Sequence, residues 1–170
     1  MGNSDNHYQE RVLLAMRRIM RQVDIYSRKI NDTFKVTVPQ LLCLYSLQRC
    51  PEQSMSQLAK DVSLGTSTVN GIADRLEVKG LVKRRRSQKD RRKVFLDLTE
   101  KGKALVLAAP PMLQETLADE LNKLPELEQA TIALSLERVV KLMEAEHIDA
   151  SPNLLNDSIV EQVSTADVNY

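Results

Sequence analysis

Residues 76–102, LEVKGLVKRRRSQKDRRKVFLDLTEKG, decide the fold. They read as the end of a helix, a strand, a basic hairpin tip, a returning strand and the start of another helix. Gly80 suits a left-handed helix cap, where the missing Cβ removes the steric penalty. Leu81 and Val82 begin an extended segment. Lys83, Arg84, Arg85 and Arg86 lead into the polar tip Ser87-Gln88-Lys89-Asp90, where the chain can turn. On the return, Val94, Leu96 and Leu98 share one face and alternate with Lys93, Phe95 and Asp97. A short hairpin crowned by cations is a poor site for enzyme chemistry and well suited to a phosphate-lined groove. The stretch points to DNA.

The charge map agrees, although the overall balance hides it. The chain of 170 residues carries a formal net charge of +1. Residues 1–53 contribute +3, residues 54–103 contribute +7 and residues 104–170 contribute −9. A basic segment beside an acidic one gives the molecule a preferred polyanion-facing side. The length suits one domain with a sizeable core. There is no apolar run long enough to span a membrane, and residues 1–5 lack the layout of a signal peptide. Two cysteines, Cys43 and Cys50, are too few for a disulfide scaffold and fit a reducing compartment. A cytoplasmic protein with no membrane partner is expected.

Most of the chain reads as helix. Over residues 8–31, Val12, Met16, Ile19, Val23, Tyr26 and Ile30 recur in steps of three and four. A second helix over residues 38–49 tolerates Pro39 in its first turn, and its apolar residues surround much of the helix, which predicts burial. Ser54-Met55-Ser56-Gln57 forms a capping box that opens a third helix carrying Leu58, Ala59 and Val62. After the turn Ser63-Leu64-Gly65, a fourth helix over residues 66–79 turns Val69, Ile72, Ala73 and Leu76 inward. Thr99 is an N-cap for a fifth helix, in which Pro110-Pro111 predicts a kink or restart before Leu113, Leu117, Leu121 and Leu124. Pro125 suits the first turn of a sixth helix that carries Ile132, Leu136, Val139 and Met143.

The third and fourth helices have the size and turn of a helix-turn-helix, and the hairpin follows directly. The fold class is therefore mainly α: a winged helix-turn-helix with a two- to three-stranded wing. The second helix of such a pair enters the major groove by its N-terminus. Its outward residues are Thr66, Ser67, Thr68, Asn70, Gly71, Asp74 and Arg75. Small hydroxyls allow close approach, Asn70 can pair with base edges and Arg75 can neutralise phosphate. Thr66 and Ser67 have capping as an alternative role. Ser54, at the start of the third helix, joins the DNA-facing candidates, as do Arg84, Arg86, Lys89 and Arg91 of the hairpin as phosphate contacts or solvated cations.

The order Leu58-Ala59, Thr68-Val69, Asp74-Arg75-Leu76-Glu77, Lys79-Gly80-Leu81-Val82, Asp90-Arg91-Arg92 and Leu98-Thr99-Glu100-Lys101-Gly102 resembles the MarR family of bacterial transcriptional regulators. The resemblance spans roughly residues 8–147 and is most specific from Asp74 to Gly102. It implies a homodimer in which the first, fifth and sixth helices interlock. Residues 1–35 and 100–148 are then the dimerisation region, 36–99 the DNA-binding region and 149–170 a polar tail. It further implies a palindromic operator on double-stranded DNA and repression released by a small molecule or an oxidant. The family's Asp-x-Arg wing pattern falls on Asp90 and Arg92, which implies that Arg92 enters the minor groove and Asp90 holds it. A narrow minor groove concentrates negative potential, which makes such a contact favourable. As a surface ion pair alone it is worth under about 1 kcal/mol.

In this family the effector usually lies between the dimerisation and DNA-binding regions. The candidates on the first two helices are Arg17, Arg21, Tyr26, Arg28, Phe34 and Tyr45. An anionic aromatic ligand suits an arginine, whereas a quaternary-ammonium osmolyte suits a cage of Tyr26 with Tyr45. Redox sensing through Cys43 or Cys50 is an alternative. Against it, the family's sensor thiols usually sit in the first helix, which has no cysteine here; Cys43 lies in an apolar run and Cys50 lacks a helix N-terminus to activate it. Another alternative is a winged helix without operator preference, an architectural or partner-binding protein. An enzyme is not expected. His7 and His147 lie near the ends, the cysteines lack metal-ligand spacing, and there is no glycine-rich phosphate loop; no cofactor or metal is called for.

Overall fold

In the computed structural model, residues 6–86 and 94–147 are described. The elements in chain order are α1 (Asn6–Phe34), α2 (Val38–Arg49), β1 (Gln53–Ser54), α3 (Met55–Asp61), α4 (Thr66–Val78), β2 (Val82–Arg86), β3 (Val94–Leu98), α5 (Glu100–Ala108), α6 (Leu113–Leu121) and α7 (Glu126–Leu142). The expected fifth helix does restart at its prolines: it becomes α5 and α6, and the expected sixth helix is α7.

α1 runs a turn beyond the predicted end. It closes where Lys35 adopts a positive φ of 56° and donates its N–H to the Asn31 carbonyl. The Lys79 ammonium, from just beyond α4, donates to the Lys35 carbonyl and to Gln40 Oε1 at 3.0 Å, so it covers this helix end. Thr37 then caps α2: its hydroxyl accepts from the Gln40 N–H, and Gln40 accepts from the Thr37 N–H in return. α2 is the central helix, with Leu41, Cys43, Leu44, Ser46 and Leu47 all buried.

Ser54 performs the expected capping of α3, accepting from the Gln57 N–H while its own N–H donates to Gln57 Oε1 at 3.0 Å. The same two-residue segment forms β1, which pairs antiparallel with β3 (Gln53 opposite Leu96), so the sheet order is β1-β3-β2. Behind it lies a polar knot. The Ser46 hydroxyl donates to Asp61, the Gln53 amide is 3.1 Å from that hydroxyl, and Arg49 reaches the same carboxylate at 3.3 Å. The Ser46 hydrogen bond, with the Arg49 and Gln53 contacts, holds the Asp61 carboxyl below the usual range against the opposing effect of burial.

α4 ends at Gly80, whose φ is +68°. Gly80 N–H donates to the Glu77 carbonyl and Leu81 N–H to that of Leu76, the paired bonds that close a helix on a left-handed residue. The chain is thereby turned straight into β2. Thr99 caps α5 as expected, accepting from the Gly102 N–H at 3.1 Å, and its hydroxyl also donates to the Gly80 carbonyl at 2.7 Å.

One core gathers Ile30, Leu41, Leu44, Leu58, Val69, Ile72, Leu76, Leu96 and Val106. α6 and α7 contribute no buried residue. α7 leaves Leu127 and Leu142 79% and 71% exposed, and α1 exposes Tyr8, Val12, Leu13, Ile19 and Met20. No helix among the described residues is long and apolar enough to cross a membrane.

Candidate nucleic-acid interface

α4 presents two distinct faces. Val69, Ile72, Ala73 and Leu76 are buried against the core, while Thr66, Ser67, Asn70, Asp74 and Arg75 are exposed and Thr68 and Gly71 are half-buried. Its N-cap is Gly65, and no side chain caps the first turn. Thr66 and Ser67 therefore do not serve as caps. They sit on the first turn, where backbone N–H groups point outward and the helix dipole favours an anion. Ser54 is placed differently: its hydroxyl is occupied in the α3 cap, 2.8 Å from Gln57 Oε1.

The wing base stands beside this helix. Strand alternation sends Arg84 and Arg86 to one side of β2 and Lys83 and Arg85 to the other. Arg84 turns back onto α4, where its guanidinium lies 2.6 Å from Asp74 and 2.9 Å from Glu77. Arg85 pairs with Glu52 at 2.7 Å and Asp97 at 3.0 Å, and lies over the Phe95 ring. Arg86 ends the strand exposed. Lys89, Asp90, Arg91 and Arg92, like the tail 149–170, lie outside the described residues. The carboxylate partners of Arg84 and Arg85 do not follow from the sequence alone. The spacing of Asp74 and Glu77, one helical turn apart, was the available signal, but only the turn at Gly80 shows that this turn faces β2.

The effector candidates separate into groups. Tyr26 and Tyr45 converge on the proline pair: Tyr45 donates to the Pro110 carbonyl at 2.7 Å and Tyr26 to that of Pro111 at 3.0 Å. Their hydroxyls are thus engaged in holding the α5–α6 link. Burial, then Tyr45 and Glu115, push the Tyr26 phenol up to about 12; burial and Glu115 raise that of Tyr45 as well. Glu115, which also accepts from the Met112 N–H, is a neighbour not anticipated from the sequence. Phe34 packs on the core, whereas Arg17, Arg21 and Arg28 are exposed on α1. Arg17 lies roughly 14 Å along the helix from Tyr26 at 1.5 Å per residue. An open groove of about 640 Å³ lies elsewhere, between Leu47, Lys83, Asp97 and Lys103.

A helix pair followed by a hairpin packed on its second helix defines a winged helix-turn-helix DNA-binding protein. Residues 36–94 match the MarR family. The HTH-type transcriptional regulator MgrA of Staphylococcus aureus is 30% identical over 132 residues, covering 71% of this chain and 90% of MgrA. The HTH-type transcriptional repressor NicR of Pseudomonas putida is 28% identical over 127 residues, covering 75% of this chain and 80% of NicR. Among solved structures, Bordetella bronchiseptica BpsR, whose DNA binding is regulated by 6-hydroxynicotinic acid, is similar with a TM-score of 0.56 and 27% identity, covering 82% of this chain and 94% of BpsR. The chain belongs to the MarR family of transcriptional regulators.

Proposed function

We propose that this chain acts as a homodimer that recognises a palindromic operator, represses transcription from it, and is released by a small-molecule effector. The observation that carries the reading is α4 itself, which presents an uncapped, hydroxyl-rich N-terminus to solvent while its C-terminal half, through Asp74 and Glu77, holds the base of the arginine-bearing strand β2. Thr66, Ser67, Thr68 and Asn70 read the major groove, with Arg75 and Arg86 on phosphate. Lys89, Arg91 and Arg92, with Asp90 orienting Arg92, extend the contact from the hairpin.

The exposed apolar residues of α1 and α7 support the dimer, because a free chain would leave both faces in water. Residues 1–35 and 100–148 form the dimerisation region and 36–99 the DNA-binding region. A two-fold axis sets the recognition helices about 34 Å apart, one duplex turn. The repressor sign draws on NicR and ligand release on BpsR; an aromatic acid or small osmolyte is the effector class. Selection of genomic fragments on the purified protein, followed by footprinting, tests the reading. An inverted repeat with half-sites one turn apart supports it. A single protected half-site overturns the dimeric recognition.

A further inference from the structure

Arg84 stands in the basic run of the hairpin, yet its geometry is that of an internal tether. Its Nη1 lies 2.6 Å from Asp74 Oδ1 and 2.9 Å from Glu77 Oε2. Its own backbone N–H donates to the other Glu77 oxygen at 3.2 Å. β2 is an edge strand, because β3 lies between it and β1. Glu77 therefore takes an edge donor that has no strand partner and holds the side chain of the same residue. Arg84 is also the least exposed member, at 31% against 63% for Asp74 and 40% for Glu77.

Charge counting separates the two roles open to this arginine. Arg84, Asp74 and Glu77 together carry −1, so the cluster as a unit does not attract phosphate. If Arg84 left for a phosphate, two carboxylates on the DNA-facing side of α4 would lose their counter-charge. Arg75 and Arg86, by contrast, are exposed neighbours that can meet phosphate without this loss.

We infer that Arg84, with Asp74 and Glu77, is a positioning residue that fixes the wing base to the recognition helix and so sets operator specificity, rather than a phosphate contact. The inference rests on the DNA-reading function proposed above. A wing that can slide against α4 still meets phosphates but no longer delivers its contacts in register with those of the helix. Specific binding then falls while nonspecific binding stays.

The test uses full-length Arg84→Ala, Arg84→Lys and Glu77→Gln. Affinity is measured for the selected operator fragment and a scrambled duplex across a salt series. Glu77→Gln decides by its sign. Removing a carboxylate from a surface that faces phosphate, and freeing an arginine, should tighten binding if Arg84 contacts DNA. The tether predicts the reverse: about tenfold weaker operator binding with scrambled binding unchanged. Arg84→Ala should behave alike and keep the wild-type salt dependence. Arg84→Lys, a single point charge, should restore only part of the specificity. A salt slope reduced by about 0.9 in Arg84→Ala, the signature of one lost phosphate contact, overturns the tether. Tighter operator binding by Glu77→Gln does the same. Glu77→Gln retains an oxygen for the Arg84 N–H, so a poorly folded Arg84→Ala leaves the test intact. Absence of operator preference in the wild type is a separate outcome, which defeats the DNA-reading function and the inference together.

Discussion

The hydroxyl of Tyr45, on α2, lies 2.7 Å from the carbonyl oxygen of Pro110, in the link between α5 and α6. Tyr26 of α1 does the same at Pro111, so two helices grip the segment that cannot hold itself. Proline lacks the N–H that would continue a helix, and the carbonyls at such a break need donors from elsewhere. Tyr45→Phe removes one donor and should cost about 1 kcal/mol, with the thermal midpoint falling by roughly 2–4 °C. Differential scanning calorimetry checks this; an unchanged midpoint would show that water replaces the hydroxyl without loss.

The same grip predicts an alkaline limit. The Tyr26 phenol is raised from 10.0 to about 12, chiefly by burial. A group raised in the folded state contributes stability that is whole below its unfolded value and lost as pH rises through the folded one. Wild-type stability should therefore fall between about pH 10 and 12, and Tyr26→Phe should flatten that fall. Urea titrations at pH 9 and 11 measure the difference. An equally steep fall in the variant would assign it to another group.

A Cβ built on Gly102 would stand 2.1 Å from the Leu81 carbonyl oxygen and 3.1 Å from its carbon. Both atoms are backbone, so α5 itself would have to move. Gly102→Ala should destabilise by about 1–3 kcal/mol, the range for overpacking, although alanine is the better helix former. The urea midpoint measures it, and a rise would mean that α5 is free to shift.

The hinge between helix and wing was legible in the sequence because each of its positions has one dominant local requirement. Gly80 provides the left-handed cap, Thr99 the N-cap and Ser54 the capping box, and each depends on neighbours within a few residues. Proline chemistry likewise announced the break at Pro110-Pro111. Partners far apart in the chain were not legible. Nothing near Tyr45 in sequence points to Pro110, 65 residues away, nor anything near Arg85 to Glu52. Ring chemistry alone brings Tyr26 and Tyr45 forward from the sequence; that both hydroxyls reach the proline carbonyls depends on the fold. The third strand of the expected two- to three-stranded wing could not be placed for the opposite reason: β1 has two residues, which carry no period, and Ser54 already had a complete account as a cap.

The two thiols should differ sharply. Cys43 is fully buried and its thiol is pushed up to about 12 by burial, whereas Cys50 is exposed at the end of α2. Near neutral pH, a maleimide should label Cys50 within minutes and Cys43 only in denaturant. Mass spectrometry of the labelled peptides reads both. Rapid labelling of Cys43 in the native protein would reopen a role for it in redox sensing.

Asn70 is exposed on α4, one turn after Thr66. Its amide can offer a donor and an acceptor together to an adenine edge. Asn70→Ala should relax preference at one half-site position by about tenfold and leave scrambled DNA unaffected, which competition with single-position operator variants measures. An equal loss on every sequence would reassign Asn70 to the backbone.

The most direct measurement is fluorescence anisotropy of the wild-type protein on the selected operator and on a scrambled duplex of the same composition, at two salt concentrations. The account predicts operator binding at least about a thousandfold tighter at physiological salt, with a ratio that survives the change of salt. Equal, weak and steeply salt-dependent binding to both duplexes would contradict it, and would leave the basic wing as a nonspecific polyanion contact.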